Sequence, residues 1–269
     1  MAHTATLGRS GARRSHAALT VLVACALAGM VAGAARSEDL GRGASDPCAV
    51  LDAAATPTPQ ALTACRLARE TAWGADDPRL IALYDRIAER LRGSQKDAAI
   101  ATPYRRRAYE LSTRLHGESD PQTALAALDY ARSWILSGRC EPHDPRVGAL
   151  IDRARAGFSA LPDDAPERVR RLEQTAFAYA DALRYGEAAE TFASAGDGLS
   201  SADWAQIGAW RERAGEAEGA EAAYLMALER APDRRAADRP LRALKRIYFA
   251  EGALGKAQAL EARTFGSPD

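Results

Sequence analysis

Apolar side chains recur three and four residues apart through most of this chain, and nowhere do they alternate with polar ones over a run. That spacing places them on one face of a helix, whereas a half-buried strand would need a period of two. The periodicity predicts helices near 78–92, 121–137, 166–183, 201–214, 217–230 and 238–251. Aspartate followed by proline marks several of their starts: Asp46-Pro47, Asp77-Pro78, Asp120-Pro121 and Asp144-Pro145 each precede an apolar-periodic segment. Aspartate accepts from the free N–H groups of a first turn, and proline at the first helical position has its φ preset. The coarse expectation is about twelve helices in six hairpins, without strands.

The helical segments also repeat one another. Trp204-x2-Ile207-Gly208 is followed by Gly215, Ala220-x3-Tyr224, Ala227 and Pro232. Leu172, Ala176, Tyr179, Tyr185, Ala188, Phe192 and Ala195 follow the same offsets upstream, and Leu241, Leu244, Tyr248, Gly252 and Ala257 follow them downstream. This pattern resembles the tetratricopeptide repeat family, whose consensus is W-x2-L-G-x2-Y, then A-x3-F, then P, over about 34 residues. Arg211 departs from it by standing where an aromatic is usual, with Trp210 beside it. In the first half the turn Gly74-Ala75-Asp76-Asp77-Pro78 recurs as Gly117-Glu118-Ser119-Asp120-Pro121, an offset of 117 − 74 = 43. That half is similar to the longer repeats of kinesin light chains. The resemblance implies an all-α, right-handed tetratricopeptide-like solenoid of about six helical hairpins. It divides into an N-terminal hairpin at 46–73, longer repeats at 74–165, three tetratricopeptide repeats at 166–264 and a tail at 265–269.

The first residues read as a targeting segment. Arg9, Arg13 and Arg14 precede the uncharged run Ala17 to Val31, and Ala32-Gly33-Ala34 has the small-x-small form of a cleavage site. The expectation is a signal peptide at 1–34 and a polar linker at 35–45, which places the mature protein in a bacterial periplasm or outside the cell. An uncleaved anchor is the alternative, since the run nearly reaches spanning length. Leu22-Val23-Ala24-Cys25 also fits a lipoprotein box, though the apolar run continues past it. Membrane contact is expected only if the leader is an anchor or Cys25 is lipidated. Arg13-Arg14 is compatible with twin-arginine export, but His16 stands in place of the usual aromatic.

Export changes the reading of the cysteines. Cys48 follows Pro47, the turn Thr56-Pro57-Thr58-Pro59 reverses the chain, and Cys65 lies on the returning segment. The two can face each other across a hairpin as a disulfide, or lie there as two small buried thiols. A bond would close a loop of about seventeen residues, worth roughly 3 kcal/mol. Cys140 is then odd: buried, free or paired between molecules.

Charge narrows the partners. Thirty-six basic residues balance thirty-six acidic ones, and removing Arg9, Arg13 and Arg14 with the leader gives 33 − 36 = −3. A near-neutral or slightly acidic chain lacks the footprint of a nucleic-acid binder. No constellation of catalytic residues emerges, and no cofactor is expected. Cys140-x2-His143 is the one pair at ligand-like spacing and has no second pair to complete a metal site. Gly255-Lys256 is followed by Ala257, which breaks the phosphate-loop pattern.

What the repeat family implies instead is binding: first helices line a concave groove that takes a peptide or a partner helix. The family's chaperone-tail clamps use lysine and asparagine there, and this chain has no asparagine. Arg239, Arg242 and Arg246 lie along the first helix of the last repeat, with Glu251 the nearest acidic residue after them. These residues read first as a solvated charged face; because arginine forks suit carboxylates, they are also the candidate peptide-binding residues for an acidic peptide or a C-terminal carboxylate. Phe177 and Trp210 read as packing between repeats. The function expected is an exported, non-catalytic protein–protein interaction scaffold; the alternative is an envelope enzyme or membrane-anchored assembly factor that uses the repeats as a frame.

Overall fold

The computed structural model describes residues 46–265 apart from Ala54, Arg92, Pro142 and Asp197, and no side chain beyond Leu260. The expected leader at 1–34 with Cys25, the linker at 35–45 and the tail after Phe265 lie outside the described residues. From Asp46 onward the chain runs through a single 3-10 turn, Pro47–Leu51, and eleven α-helices. These are α1 (Pro59–Trp73), α2 (Arg79–Glu89), α3 (Gln95–His116), α4 (Pro121–Leu136), α5 (Pro145–Ser159) and α6 (Arg168–Asp181). The series continues with α7 (Tyr185–Ala193), α8 (Ser201–Ala214), α9 (Ala217–Glu229), α10 (Arg234–Ala250) and α11 (Leu254–Phe265). No strand occurs among the described residues. Each element packs on its chain neighbours, giving six hairpins: the 3-10 turn with α1, then α2/α3, α4/α5, α6/α7, α8/α9 and α10/α11.

In all four Asp-Pro steps the aspartate side chain accepts from the backbone N–H two residues on. Asp46 accepts from Cys48 N–H at 2.9 Å, Asp77 from Arg79 at 2.8 Å, Asp120 from Gln122 at 2.7 Å and Asp144 from Arg146 at 2.9 Å. In Asp77-Pro78-Arg79 and Asp144-Pro145-Arg146 the arginine side chain also grips the aspartate, and this bond holds both carboxyls below the usual carboxylate range. One expectation is corrected. After Pro47 the chain makes a five-residue 3-10 turn rather than an α-helix. A second helix begins earlier than its periodicity suggests. Asp233 caps α10 through Ala236 N–H at 2.8 Å, so the helix starts at Arg234 and carries Pro240 within it. Pro103 sits likewise inside α3. Each proline removes one helical donor, and the apolar face of the helix holds it in register regardless.

Packing between hairpins follows the repeat pattern. Leu172, Ala176 and Tyr179 are fully buried on α6, Ile207 on α8 and Leu244 on α10. A Cβ added to Gly208 would stand 2.7 Å from the Tyr224 ring, so α8 and α9 meet at a point where only glycine fits. Three buried tyrosines tie first helices to the hairpin before them. Tyr84 on α2 donates to Glu70 on α1 at 2.8 Å, Tyr179 on α6 to Asp152 on α5 at 2.6 Å, and Tyr248 on α10 to Glu221 on α9 at 2.8 Å. Burial, and then the bonded carboxylate, push the Tyr84 and Tyr248 hydroxyls up to about 12 and Tyr179 higher still. Arg211 occupies the matching place on α8 and instead donates to the Gly219 carbonyl at 3.0 Å, within its own hairpin.

The same register closes the first helices. Glu216 N–H returns to Arg211 O at 2.9 Å, Ala253 N–H to Tyr248 O at 2.8 Å and Arg184 N–H to Tyr179 O at 2.8 Å. The residue inside each turn has positive φ: Gly215 at 80°, Gly252 at 70° and Leu183 at 62°. Leucine there carries a left-handed backbone that glycine adopts freely. A Cβ at Gly215 would meet nothing within 4 Å, so Gly215→Ala isolates the backbone cost. The substitution is expected to lower stability by about 1 kcal/mol in urea unfolding; an unchanged midpoint would remove this account of the turn.

Candidate binding surface

The helices α2, α4, α6, α8 and α10 open successive hairpins. Among them α4 contacts α6 and α8 contacts α10 directly, and the Phe177 and Trp210 rings join α6 to α8. Arg239, Arg242 and Arg246 all reach solvent on α10, at the spacing of one helix stripe, and Phe249 continues it with 57% of its surface exposed. The structure also pairs this stripe with acids, one of them, Glu212, from another hairpin. Arg246 donates to both carboxylate oxygens of Glu212 at 2.8 Å, across from α10 to α8. Arg242 pairs with Asp238, one turn earlier, at 2.8 Å, and Arg239 reaches Gln206 Oε1 at 3.4 Å. Glu251 is the next acidic residue along the chain, but the acids that pair with the stripe are Asp238 and Glu212. Glu212 lies thirty-four residues upstream of Arg246, and only the packing of the two hairpins brings it close.

Glu212 does two things at once. It accepts from the Tyr224 hydroxyl at 2.8 Å and holds Arg246, whose guanidinium is raised above its usual range chiefly by this hydrogen bond. The Arg242–Asp238 pair is exposed on both sides, where such a pair contributes about 0.3–0.5 kcal/mol. An incoming carboxylate therefore competes against a weak partner at Arg242 and a firmer one at Arg246.

Farther along the face, Phe177 on α6 keeps 43% of its surface exposed while its ring meets Trp210 edge-on, with centroids 5.1 Å apart. Trp210 is buried and packs also near Phe192. A cleft of about 550 Å³ opens between the α2–α3 turn and the end of α4. Ala88, Leu91, Ala98 and Leu136 supply its apolar walls, and Arg105 and Arg132 its cations. Arg105 is held at 2.6 Å by Asp85 and at 3.3 Å by Asp129. Burial pushes the Asp85 carboxyl up against the pull of Arg105. Sequence reasoning missed this cleft. The run Arg105-Arg106-Arg107 is a signal for it, but only the fold reveals that Arg105 alone turns inward.

Cys48 and Cys65 are joined by a disulfide, with sulfurs 2.06 Å apart. Cys140 is a free, partly buried thiol raised by burial, with its sulfur 3.8 Å from the Trp134 carbonyl. Neither it nor His143 belongs to a cluster of three or more metal-ligating side chains among the described residues. No helix among those residues is long and apolar enough to cross a membrane.

Comparison with known proteins adds a likeness of fold. No protein-family model matches the sequence, and no curated protein does. Among solved structures, the nearly identical TPR-like repeats of a putative kinesin light chain from Podosopora anserina share 16% identity over 72% of this chain and 99% of theirs, with a TM-score of 0.46. A form of the same repeats carrying one substitution also matches at 16% identity and a TM-score of 0.46, over 71% of this chain and 97% of that one. With those repeats the described residues share an all-helical, repeated architecture. A likeness of this degree bears on neither partner nor activity.

Proposed function

We propose that this protein is an exported interaction scaffold that holds an acidic peptide or partner helix on the face made by its first helices. The observation that carries this reading is the exposed stripe Arg239, Arg242, Arg246 and Phe249 on α10. It combines three arginine forks with an unburied aromatic ring, and helix α8 stands beside it. Carboxylates of the partner would take the forks of Arg242 and Arg246, and an apolar side chain would cover Phe249. Binding requires no cofactor, and no residue is assigned a chemical step. Export rests on the leader read in the sequence, which the structure does not describe.

The test begins with affinity capture of the full chain from an envelope extract, followed by mass spectrometry to identify the partner. Replacing Arg242 and Arg246 together by alanine is then expected to weaken binding at least about tenfold, since a desolvated charge costs about 2–5 kcal/mol on truncation. Circular dichroism should remain helical. Full affinity in the double variant would return both arginines to the solvated surface.

A further inference from the structure

We propose that the Cys48–Cys65 bond latches a strap, residues 46–58, that reduction releases from the N-terminal end of the helical array. The strap lies across two helices. On the α1 side it is held by the disulfide and by Asp46 on Arg69 at 2.5 Å. On the α2 side Asp52 pairs with Arg86, and Arg90 donates to the carbonyls of Ala53 and Ala55 at 2.6 and 2.8 Å. The groups making these polar contacts lie at the surface, where ion pairs contribute little. The strap's one helical element is a 3-10 turn of five residues, too short to persist without tertiary support. Its buried residues are Cys48 and Leu51 in the turn and Pro57 near its end. Of all the forces on the strap, the covalent bond is the one that does not yield to fraying.

What the strap covers gives the latch a consequence. Cys48 and Leu51 belong to one apolar cluster with Leu62, Cys65, Leu80 and Ile87, the last four fully buried. Direct contact between α1 and α2 is slight compared with that between consecutive helices such as α2 and α3. Other ties also hold α1: Leu62 in the cluster, the Tyr84–Glu70 bond, Thr63 near the Tyr104 hydroxyl at 3.5 Å, and Trp73, which packs on the cluster under the Arg79 guanidinium of α2 at 4.4 Å. Release of the strap therefore uncovers an apolar patch at the end of the array without unzipping the hairpins beyond. The loop closed by the bond spans Cys48 to Cys65, so no element from α2 onward lies inside it.

The chemistry is an exchange with an external dithiol. Its thiolate attacks the Cys48 sulfur, on the less deeply buried of the two residues, 8% exposed against 0% for Cys65. Cys65 leaves as a thiolate and takes a proton. The second thiol of the reductant then displaces Cys48 and closes its own disulfide. Two electrons and two protons pass to the protein, and the reductant is oxidised by the same amount.

Dithiothreitol titrated into the oxidised full chain tests this, with hydrogen exchange read segment by segment. Reduction is expected to speed exchange over 46–58 by about tenfold or more while residues 79–250 keep their protection, and reoxidation should restore the strap. The Cys48→Ser, Cys65→Ser double variant should match the reduced chain without reductant, which separates the effect from Cys140. Three results would overturn the proposal: unchanged exchange over 46–58 after reduction, loss of protection along the whole array together, or a bond that yields to the dithiol only once the array has unfolded. None of these readouts depends on a partner or on the arginines of α10.

Discussion

Trp210→Ala is expected to lower the stability of the array by about 3–5 kcal/mol, the range for truncating a buried tryptophan. Trp210 is 2% exposed and is the largest fully buried side chain described. It sits on α8 and meets Phe177 of α6 and Phe192 of α7, with centroids 5.1 and 6.1 Å apart. The ring therefore plugs the junction between two hairpins as well as the face of its own helix. Alanine would leave a cavity walled on one side by Phe177, which is already 43% exposed, so water has a short path into the gap. Partial collapse of Phe177 into the space would soften the loss toward the lower end. In a stack of hairpins each unit leans on its neighbours, so the transition should also broaden as the parts on either side of α8 uncouple. Urea unfolding followed by helical dichroism measures both effects. A loss below about 1.5 kcal/mol would mean that the junction is held by the smaller contacts, such as Ile207 with Ala188 and Ala189 in the same cluster, and not by the indole.

The architecture was legible because it is written locally. Aspartate before proline needs only its next two residues to start a helix, and all four such steps cap a helical turn. Ser201–Ala214 is bounded by a Ser200–Asp203 capping box and by Gly215 at positive φ, and the predicted span 201–214 coincides with it. The first error came from a one-turn element. After Pro47 the chain makes only a five-residue 3-10 turn. The second came at the start of α10. The expected start at 238 left out the first turn, where Asp233 caps the helix and Ala237 buries the same face as Leu241 and Leu244 beyond Pro240. The binding face was less legible because its electrostatics are not local. Spacing alone placed Arg239, Arg242 and Arg246 on one stripe, but the acid that meets Arg246 comes from the preceding hairpin. The aspartates that hold Arg105 come from α2 and α4, one helix to either side of it. Cysteine pairing lay between these cases. The prolines at 57 and 59 reverse the chain, which made the Cys48–Cys65 pair an option in sequence and a bond in the fold.

Gly208→Val is expected to cost about 2–3 kcal/mol, toward the upper end for forcing extra methyl groups into a packed site. Helix propensity works the other way: glycine is the poorest ordinary residue inside a helix, and valine recovers a few tenths of a kcal/mol. Geometry decides the balance. A Cβ at this position would lie 2.7, 2.8 and 2.9 Å from three atoms of the Tyr224 ring, well inside contact distance. The ring has little room to move aside. It is 2% exposed, and its hydroxyl is tied to Glu212 at 2.8 Å, which in turn holds Arg246. Moving α9 away from α8 would open the tightest contact of that hairpin. The cause can be isolated with a second substitution. In a Tyr224→Ala background the ring is gone and valine fills part of its space, so Gly208→Val should cost at least about 1.5 kcal/mol less than in the native chain, a coupling of the size found for residues in direct contact. Denaturant midpoints for the two single variants and the double supply the comparison. Equal costs in both backgrounds would show that Gly208 is needed for some reason other than the approach of Tyr224. The close-packed reading of the α8/α9 hairpin would then lose its central contact.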